Sequence, residues 1–349
     1  MNMRKGVSCL LHMSKPLIQF TPKGMYCAEG DFYIDPWRPV PKALITHGHA
    51  DHARHGHQHY VSQQITAAIM RHRIHRDLPV QGLAYGESLT IRGVRVSFHP
   101  AGHIPGSAQI RLENKGQVWV AAGDYKTASD AISTPFETVK CHTFITESTF
   151  GLPVFRWRDD AFSFAAIQSW WAQNAEQGIA SVLFGYSLGK AQRLLMGLGT
   201  DGPGAIFLHP AVAELTELVQ AQTGLQFPAW KRVEGASKLA EYRTALIIAP
   251  PAVDDSSWIK KFQPYKVAMA SGWMAIRGMR RRRNPDLGVV LSDHADFPGI
   301  LHAIRESGAE RVVVTHGYSH LMAKYLIAQG YDALAENTEF NDEWNEDTP

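Results

Sequence analysis

The residues most able to do chemistry stand in one run, Thr46-His47-Gly48-His49-Ala50-Asp51-His52. The run follows an apolar strand expected at 43–46, so its polar side chains sit on a strand-to-helix turn. His47 and His49 are two apart and can converge on one cation, while Asp51 and His52 can reach a second. Imidazole nitrogen with carboxylate oxygen is the donor set of zinc and of hydrolytic metal sites in general. Three other segments put donors at strand ends: Gly102-His103, Gly123-Asp124 and His316-Gly317. Each is weak alone. Together they predict four strands that end at one cluster, held rigidly while the loops beyond stay open to substrate.

Two further strand ends carry Glu147, in Ile145-Thr146-Glu147-Ser148-Thr149, and His294, in Ser292-Asp293-His294. A carboxylate paired with an imidazole can hold and orient a proton for general-acid work. Phe184-Gly185-Tyr186-Ser187-Leu188-Gly189-Lys190 reads as a strand entering a helix, where Ser187, Lys190 and backbone N–H groups could meet a phosphate. Arg277, Arg280, Arg281, Arg282 and Arg283 form the densest basic stretch; a solvated face and a backbone contact with a nucleic-acid strand are both open. His55, His57 and His59 alternate just after the metal run and are expected to be exposed. Tyr125 and Trp273 could stack bases, although burial is the plainer expectation.

The elements that must position these groups change character along the chain. Short strands at 31–35, 43–46, 92–99, 108–113, 117–124 and 143–147 fill the first part, with helical spacing at 66–76. From 159 onward helix and strand alternate, as in a parallel α/β unit, until a strand near 288–292 and a closing helix–strand–helix at 298–329. Glycine and proline near 151–153 and 250–251 suggest hinges, and the acidic tail 337–349 is expected to fray. The 349 residues carry a net charge of +2, too even to indicate a nucleic-acid partner by itself. Cys9, Cys27 and Cys141 lie far apart and read as buried small hydrophobes. The apolar stretch at 7–13, broken by His12, is a poor signal peptide, and no run suits a membrane span, so a soluble cytoplasmic protein is expected.

The set His47-Gly48-His49-Ala50-Asp51-His52, Gly102-His103, Asp124 and His316 resembles the metallo-β-lactamase superfamily. The resemblance implies an αβ/βα four-layer sandwich with two metals at one edge. One would take His47, His49 and His103, the other Asp51, His52 and His316, with Asp124 bridging; Asp35 would support the metal loop. Glu147, His294 and His316 resemble the signature motifs of the β-CASP nucleases, whose α/β cap is inserted into that fold. This implies a scaffold at 1–155, a cap at 156–274 and a return to the scaffold at 275–349. The texts DFYIDPW, THGHADHAR, HPAGHIPGSAQI, GDYK, FITESTFGLP, SGWMAIRG and LSDHADFPG are similar to those of bacterial DNA-ligase-associated exonucleases.

That resemblance implies a DNA exonuclease of DNA repair using two zinc ions, or manganese in the cell. Asp51 would help orient the attacking water, with His294 as acid and Glu147 orienting it. Ser187, Lys190, Arg277, Arg280 and Arg281 would contact a DNA strand with a free end, and a DNA ligase and helicase would be partners. An RNA-processing nuclease of the same branch is the nearest rival. A small-molecule thioester or lactam hydrolase is a more remote one, disfavoured by the cap.

Overall fold

A computed structural model describes residues 15–234, 239–254 and 256–340. Among them the strands form three sheets. The first runs Gln19–Thr21, Gly24–Cys27, Phe32–Ile34, Lys42–Ile45, His59–Gln63, Val80–Leu83 in spatial order. It begins as an antiparallel meander and continues parallel from Phe32–Ile34 onward. The second runs Asp332–Ala335, Arg311–Gly317, Thr143–Ser148, Gln117–Ala121, Ala108–Asn114, Val94–Pro100, Ser88–Ile91. The third runs Lys231–Arg232, Ile206–Leu208, Leu246–Ala249, Ala180–Phe184, Tyr265–Ala270, Leu287–Val289 and is parallel throughout.

Burial follows from the strand sequences. Alternating strands such as Val94–Pro100 send Val94, Val96 and Phe98 inward, where they meet Phe32, Ile34 and Leu44 of the first sheet in one core. The opposite face of the first sheet (Ala43, Ile45, Tyr60) packs on Ala67 and Met70 of the helix Gln64–Arg73. The opposite face of the second sheet (Val120, Phe144, Val312, Val314) packs on helices Phe297–Ser307 and Ser319–Ala328. The unbroken apolar strands Ala180–Phe184 and Leu246–Ala249 belong to the third sheet, which carries a core on each face, as parallel sheets require.

Two expectations change. Leu287–Val289 pairs with Tyr265–Ala270 in the third sheet, beyond the expected division at 274/275. The exposed helix Arg277–Arg283 is only the crossover between those two parallel strands. Pro250-Pro251 likewise lies between two strands of that sheet, Leu246–Ala249 and Tyr265–Ala270, and not at its border.

The topology sends the donor-bearing strands one way. Val94–Pro100 and Gln117–Ala121 both pair antiparallel with Ala108–Asn114, and Gln117–Ala121, Thr143–Ser148 and Arg311–Gly317 are mutually parallel. Their carboxyl ends therefore share one edge of the second sheet. The backbone bond from Ala108 N–H to the Thr46 carbonyl (2.8 Å) ties the end of Lys42–Ile45 to the same edge.

Candidate metal centre and its surroundings

At that edge four donor atoms converge: one each from His47, His49, His103 and Asp124, all within 4.8 Å of one another and all buried. His47 Nε2 lies 3.6 Å from Asp124 Oδ2, His103 Nε2 4.0 Å from the same oxygen, and His103 Nε2 3.2 Å from His49 Nδ1. Ligands about 2.0–2.1 Å from a tetrahedral cation stand about 3.4 Å apart, so these separations match the edges of a coordination shell.

The outer nitrogens settle the tautomers. His49 Nε2 donates to the Leu188 carbonyl (3.2 Å) and His103 Nδ1 to the Asp293 carbonyl (2.8 Å). His47 Nδ1 meets Thr46 Oγ1 (3.0 Å), whose hydroxyl is spent on Asp35 Oδ2 (2.6 Å), so the imidazole is the donor. Burial pushes the pKa of His47 and His49 well below the ordinary histidine value and lowers that of His103, which keeps the rings neutral. A neutral ring that donates outward turns a lone pair inward. The inner nitrogens of His49 and His103 stand 3.2 Å apart with their lone pairs turned inward, a spacing that suits a cation between them. His47 Nε2 and His52 Nε2 are buried with no hydrogen-bond partner, as is Asp51 Oδ1. The residues present therefore fit a bound metal ion.

Asp35 organises this loop from beneath. Its carboxylate accepts from Thr46 N–H (2.8 Å), Thr46 Oγ1 and His52 Nδ1 (2.8 Å). His52 Nε2 stands 3.5 Å from Asp124 Oδ2 and 3.6 Å from Asp51 Oδ2. Burial alone would lower the His52 pKa, but the Asp124 and Asp51 carboxylates outweigh it and hold it well above the ordinary value. Asp124 moves the other way: burial would raise its pKa, and the His52 charge holds it well below the carboxylate range.

A second group of donor atoms, within 4.8 Å of one another, shares Asp124 and adds Glu147 and His294. His294 Nδ1 donates to Glu147 at 2.9–3.0 Å, and Glu147 is fixed in turn by Tyr125 N–H (2.8 Å) and the Thr149 hydroxyl. The His294 ring lies 4.6 Å from that of His103.

Asp51, His52 and His316 fall outside both converging groups. His316 has φ +47° and its carbonyl accepts from the Ser148 hydroxyl. Its ring is 6.1 Å from that of Phe340, which stacks on His52 at 4.1 Å and 11°. The acidic tail does not fray from 337 as its composition suggests. Residues up to Phe340 lie against the site, and 341–349 fall outside the described residues. A single phenylalanine amid carboxylates was the available cue.

The expected substrate contacts divide. Arg277, Arg280 and Arg281 are exposed on their helix, with Arg280 Nε donating to the Met274 carbonyl. Ser187 and Lys190 are buried, and Lys190 Nζ is 3.4 Å from Asp293 Oδ2. The N–H of Gly189 is taken by the Gln192 side chain (2.7 Å), which caps the helix. Of the three alternating histidines, His55 and His59 are exposed, but His57 is buried, with Nδ1 accepting from Val40 N–H and its own N–H donating to Tyr60 Oη. Tyr125 is fully buried and Trp273 half-buried. Cys27 and Cys141 are buried free thiols; Cys9 lies outside the described residues.

A buried charge cluster behind the histidines leaves no mark in the sequence. Arg193 Nη1 binds Asp293 Oδ1 (2.8 Å), its Nη2 binds Asp160, and its Nε is 3.9 Å from Asp130, which also holds Lys126 Nζ at 2.6 Å. Burial would raise the Asp293 pKa, but Lys190 and Arg193 hold it well below the carboxylate range. No periodicity or spacing marks such a cluster, because its members come from separate segments of the chain.

No protein-family model matches the chain. The chain is 30% identical over 315 residues to a probable DNA ligase of Opitutus terrae, an alignment covering 89% of this chain and 30% of that protein. It is 26% identical over 199 residues to a ribonuclease of Thermus thermophilus, covering 49% of this chain and 45% of that protein. It is 28% identical over 139 residues to an endoribonuclease of Aspergillus fumigatus, covering 39% of this chain and 16% of that protein. The chain thus spans less than half the length of each of these relatives. These similarities support the superfamily-level resemblance drawn from the motifs. The fold is similar to that of a crystallised protein of unknown function from Enterococcus faecalis, with TM-score 0.53 and 11% identity over 80% of this chain and 76% of that one. No helix among the described residues is long and apolar enough to cross a membrane.

Proposed function

We propose that this chain is a metal-dependent phosphodiesterase of the β-CASP branch that degrades DNA from a free end, on an αβ/βα four-layer sandwich with an inserted cap. The observation that carries the reading is the pair of inward lone pairs on His49 and His103, closed by His47 and Asp124 and flanked by the Glu147–His294 pair. Two ions, zinc or manganese, are the proposed cofactors, with Asp51, His52 and His316 serving the second. When bound, such ions lower the pKa of a water and neutralise the non-bridging phosphate oxygens.

The chain's own groups do the rest. Asp51, whose Oδ1 has no hydrogen-bond partner, is available to orient the attacking water. Glu147 fixes His294 through Nδ1, which aims the opposite ring nitrogen at the leaving oxygen; His294 delivers the proton there. Arg277, Arg280 and Arg281 meet the strand backbone as it enters. In this reading Lys190 acts through Asp293, as a buried countercharge beside His294, and Ser187 belongs to the same packed turn.

DNA is preferred over RNA because the similarity to a probable DNA ligase extends over 89% of the chain, against 49% for the Thermus ribonuclease. It also favours a ligase as a partner in end repair, while the helicase rests on the motif resemblance alone. The test uses metal-loaded protein and His47→Ala with matched end-labelled single-stranded DNA and RNA, resolved by length. Metal-dependent laddering of DNA from one end, absent in the variant, is the expected result. Preference for RNA would move the reading to transcript processing. Failure to cut either polymer, with metal content verified, would sink the nuclease reading.

A further inference from the structure

The segment 336–340 returns to the metal run and touches Arg38, Arg54 and His52. Glu336 N–H bonds the Val314 carbonyl (2.9 Å), extending the pairing of Asp332–Ala335 toward the donor edge. Glu339 then pairs with Arg38 Nη1 (2.7 Å), while its carbonyl accepts from Arg54 Nη2 (2.6 Å). Phe340 stacks on His52 at 4.1 Å and meets Trp37 edge-on at 5.7 Å. Arg54 Nε also donates to the Asp51 carbonyl (2.9 Å), so the guanidinium that holds the segment touches the metal run itself. Beyond it a cleft of about 610 Å³ continues between Arg38, Asp51, Arg54, His55 and Arg73.

The Glu339 carboxylate on Arg38, its backbone carbonyl on Arg54 and an aromatic ring on an imidazole face resemble the contacts a nucleotide makes, phosphate oxygens to arginine and base to ring. We propose that Arg38, Arg54, Trp37 and the face of His52 form a nucleotide subsite of the cleft, and that Glu339 and Phe340 occupy it as a displaceable intramolecular stand-in for a nucleic-acid strand. The Arg38–Glu339 pair is half-exposed, with side-chain accessibilities of 51% and 48%, which makes it a weak and salt-sensitive tie that a polyanion can displace. No lysine or arginine follows Lys324 in the chain, whereas seven carboxylates do, so the tail is matched in charge to a basic strand path.

This inference rests on the nuclease reading for the identity of the ligand, and its test is therefore a binding measurement made without cleavage. The 349-residue chain, its Phe340→Ala variant and its Glu339→Gln variant are titrated in EDTA against a fluorescein-labelled single-stranded oligodeoxynucleotide, with anisotropy as readout and thermal melting to verify folding. Glu339→Gln alters an exposed position, so it tests the tie even if Phe340→Ala unfolds. If the segment fills the subsite in about nine molecules of ten, its release tightens binding about tenfold. Adding Arg38→Ala to the released variant removes that gain, and a peptide of residues 336–340 competes the oligonucleotide away. Unchanged affinity in folded Glu339→Gln and Phe340→Ala overturns the inference, as does a gain that survives Arg38→Ala. Intact cleavage by metal-loaded wild type with unchanged binding sinks this inference alone; absent cleavage with the expected binding shifts sinks the nuclease reading alone.

Discussion

At the scale of single residues, the site depends on groups that touch the donors from behind. Asp35 accepts three hydrogen bonds, two from Thr46 and one from His52, and so orients His47 and His52 together. Replacing it with asparagine keeps the shape but puts an N–H where a carboxylate oxygen accepted. Loss of such an outer partner weakens metal binding by about 10–100-fold. Competition of Asp35→Asn and wild type against a chromophoric chelator reads this directly, and equal affinities would show that the orientation is set elsewhere. His57 makes a different prediction. Burial pushes its pKa from 6.5 down to about 4. The unfolded chain therefore binds the proton first as pH falls. Stability present above pH 6.5 declines as the pH falls from 6.5 toward 4. Urea unfolding of His57→Asn over that window should show a correspondingly shallower decline; parallel curves would mean the proton is taken up without cost.

At the scale of elements, the donors are held by turns that leave their strands at close quarters. Gly102 has φ +74°, and a Cβ there would stand 2.3 Å from the Lys126 carbonyl oxygen, an atom of the neighbouring turn's backbone. Glycine at this point is a condition for His103 to reach the cluster. Gly102→Ala should lower the melting temperature and reduce bound metal in the same preparation, measured by differential scanning calorimetry and elemental analysis. A variant that loses stability but keeps full metal content would separate the turn from the site. The placement of most strands and helices was legible from periodicity: Ala108–Asn114, Asp160–Glu176 and Phe297–Ser307 lie where alternation and helical spacing put them. The short strands Gln19–Thr21 and Ser88–Ile91 carried too few residues to show a pattern, and the helix Arg277–Arg283 has no apolar face to mark it.

At the scale of the whole molecule, the third sheet and the donor edge are joined through buried charge. Leu188, on the turn leaving Ala180–Phe184, accepts from His49, and Asp293, on the return from Leu287–Val289, accepts from His103. Arg193 ties Asp293 to Asp160 and faces Asp130, so one guanidinium compensates carboxylates from three segments. Removing one partner of a buried ion network costs about 3–5 kcal/mol, because the remaining charges stay desolvated. Arg193→Ala should show that loss in equilibrium unfolding. A change near zero would mean that water enters and replaces the guanidinium.

The donors His47, His49, His103 and Asp124, and the pairing of Glu147 with His294, are legible in the sequence because each is a ligand-type residue at the end of a recognisable strand. Local spacing determines which side chains a strand end can offer. What it could not determine is which nitrogen His49 and His103 turn inward, since that is decided by distant acceptors: the carbonyls of Leu188 and Asp293, each more than a hundred residues away. Nor could it determine that Lys190 is buried as a countercharge, that His57 is inside, or that Glu339 and Phe340 return to the metal run. These are contacts between segments far apart in the chain, fixed by the packing of three sheets, and periodicity carries no record of them.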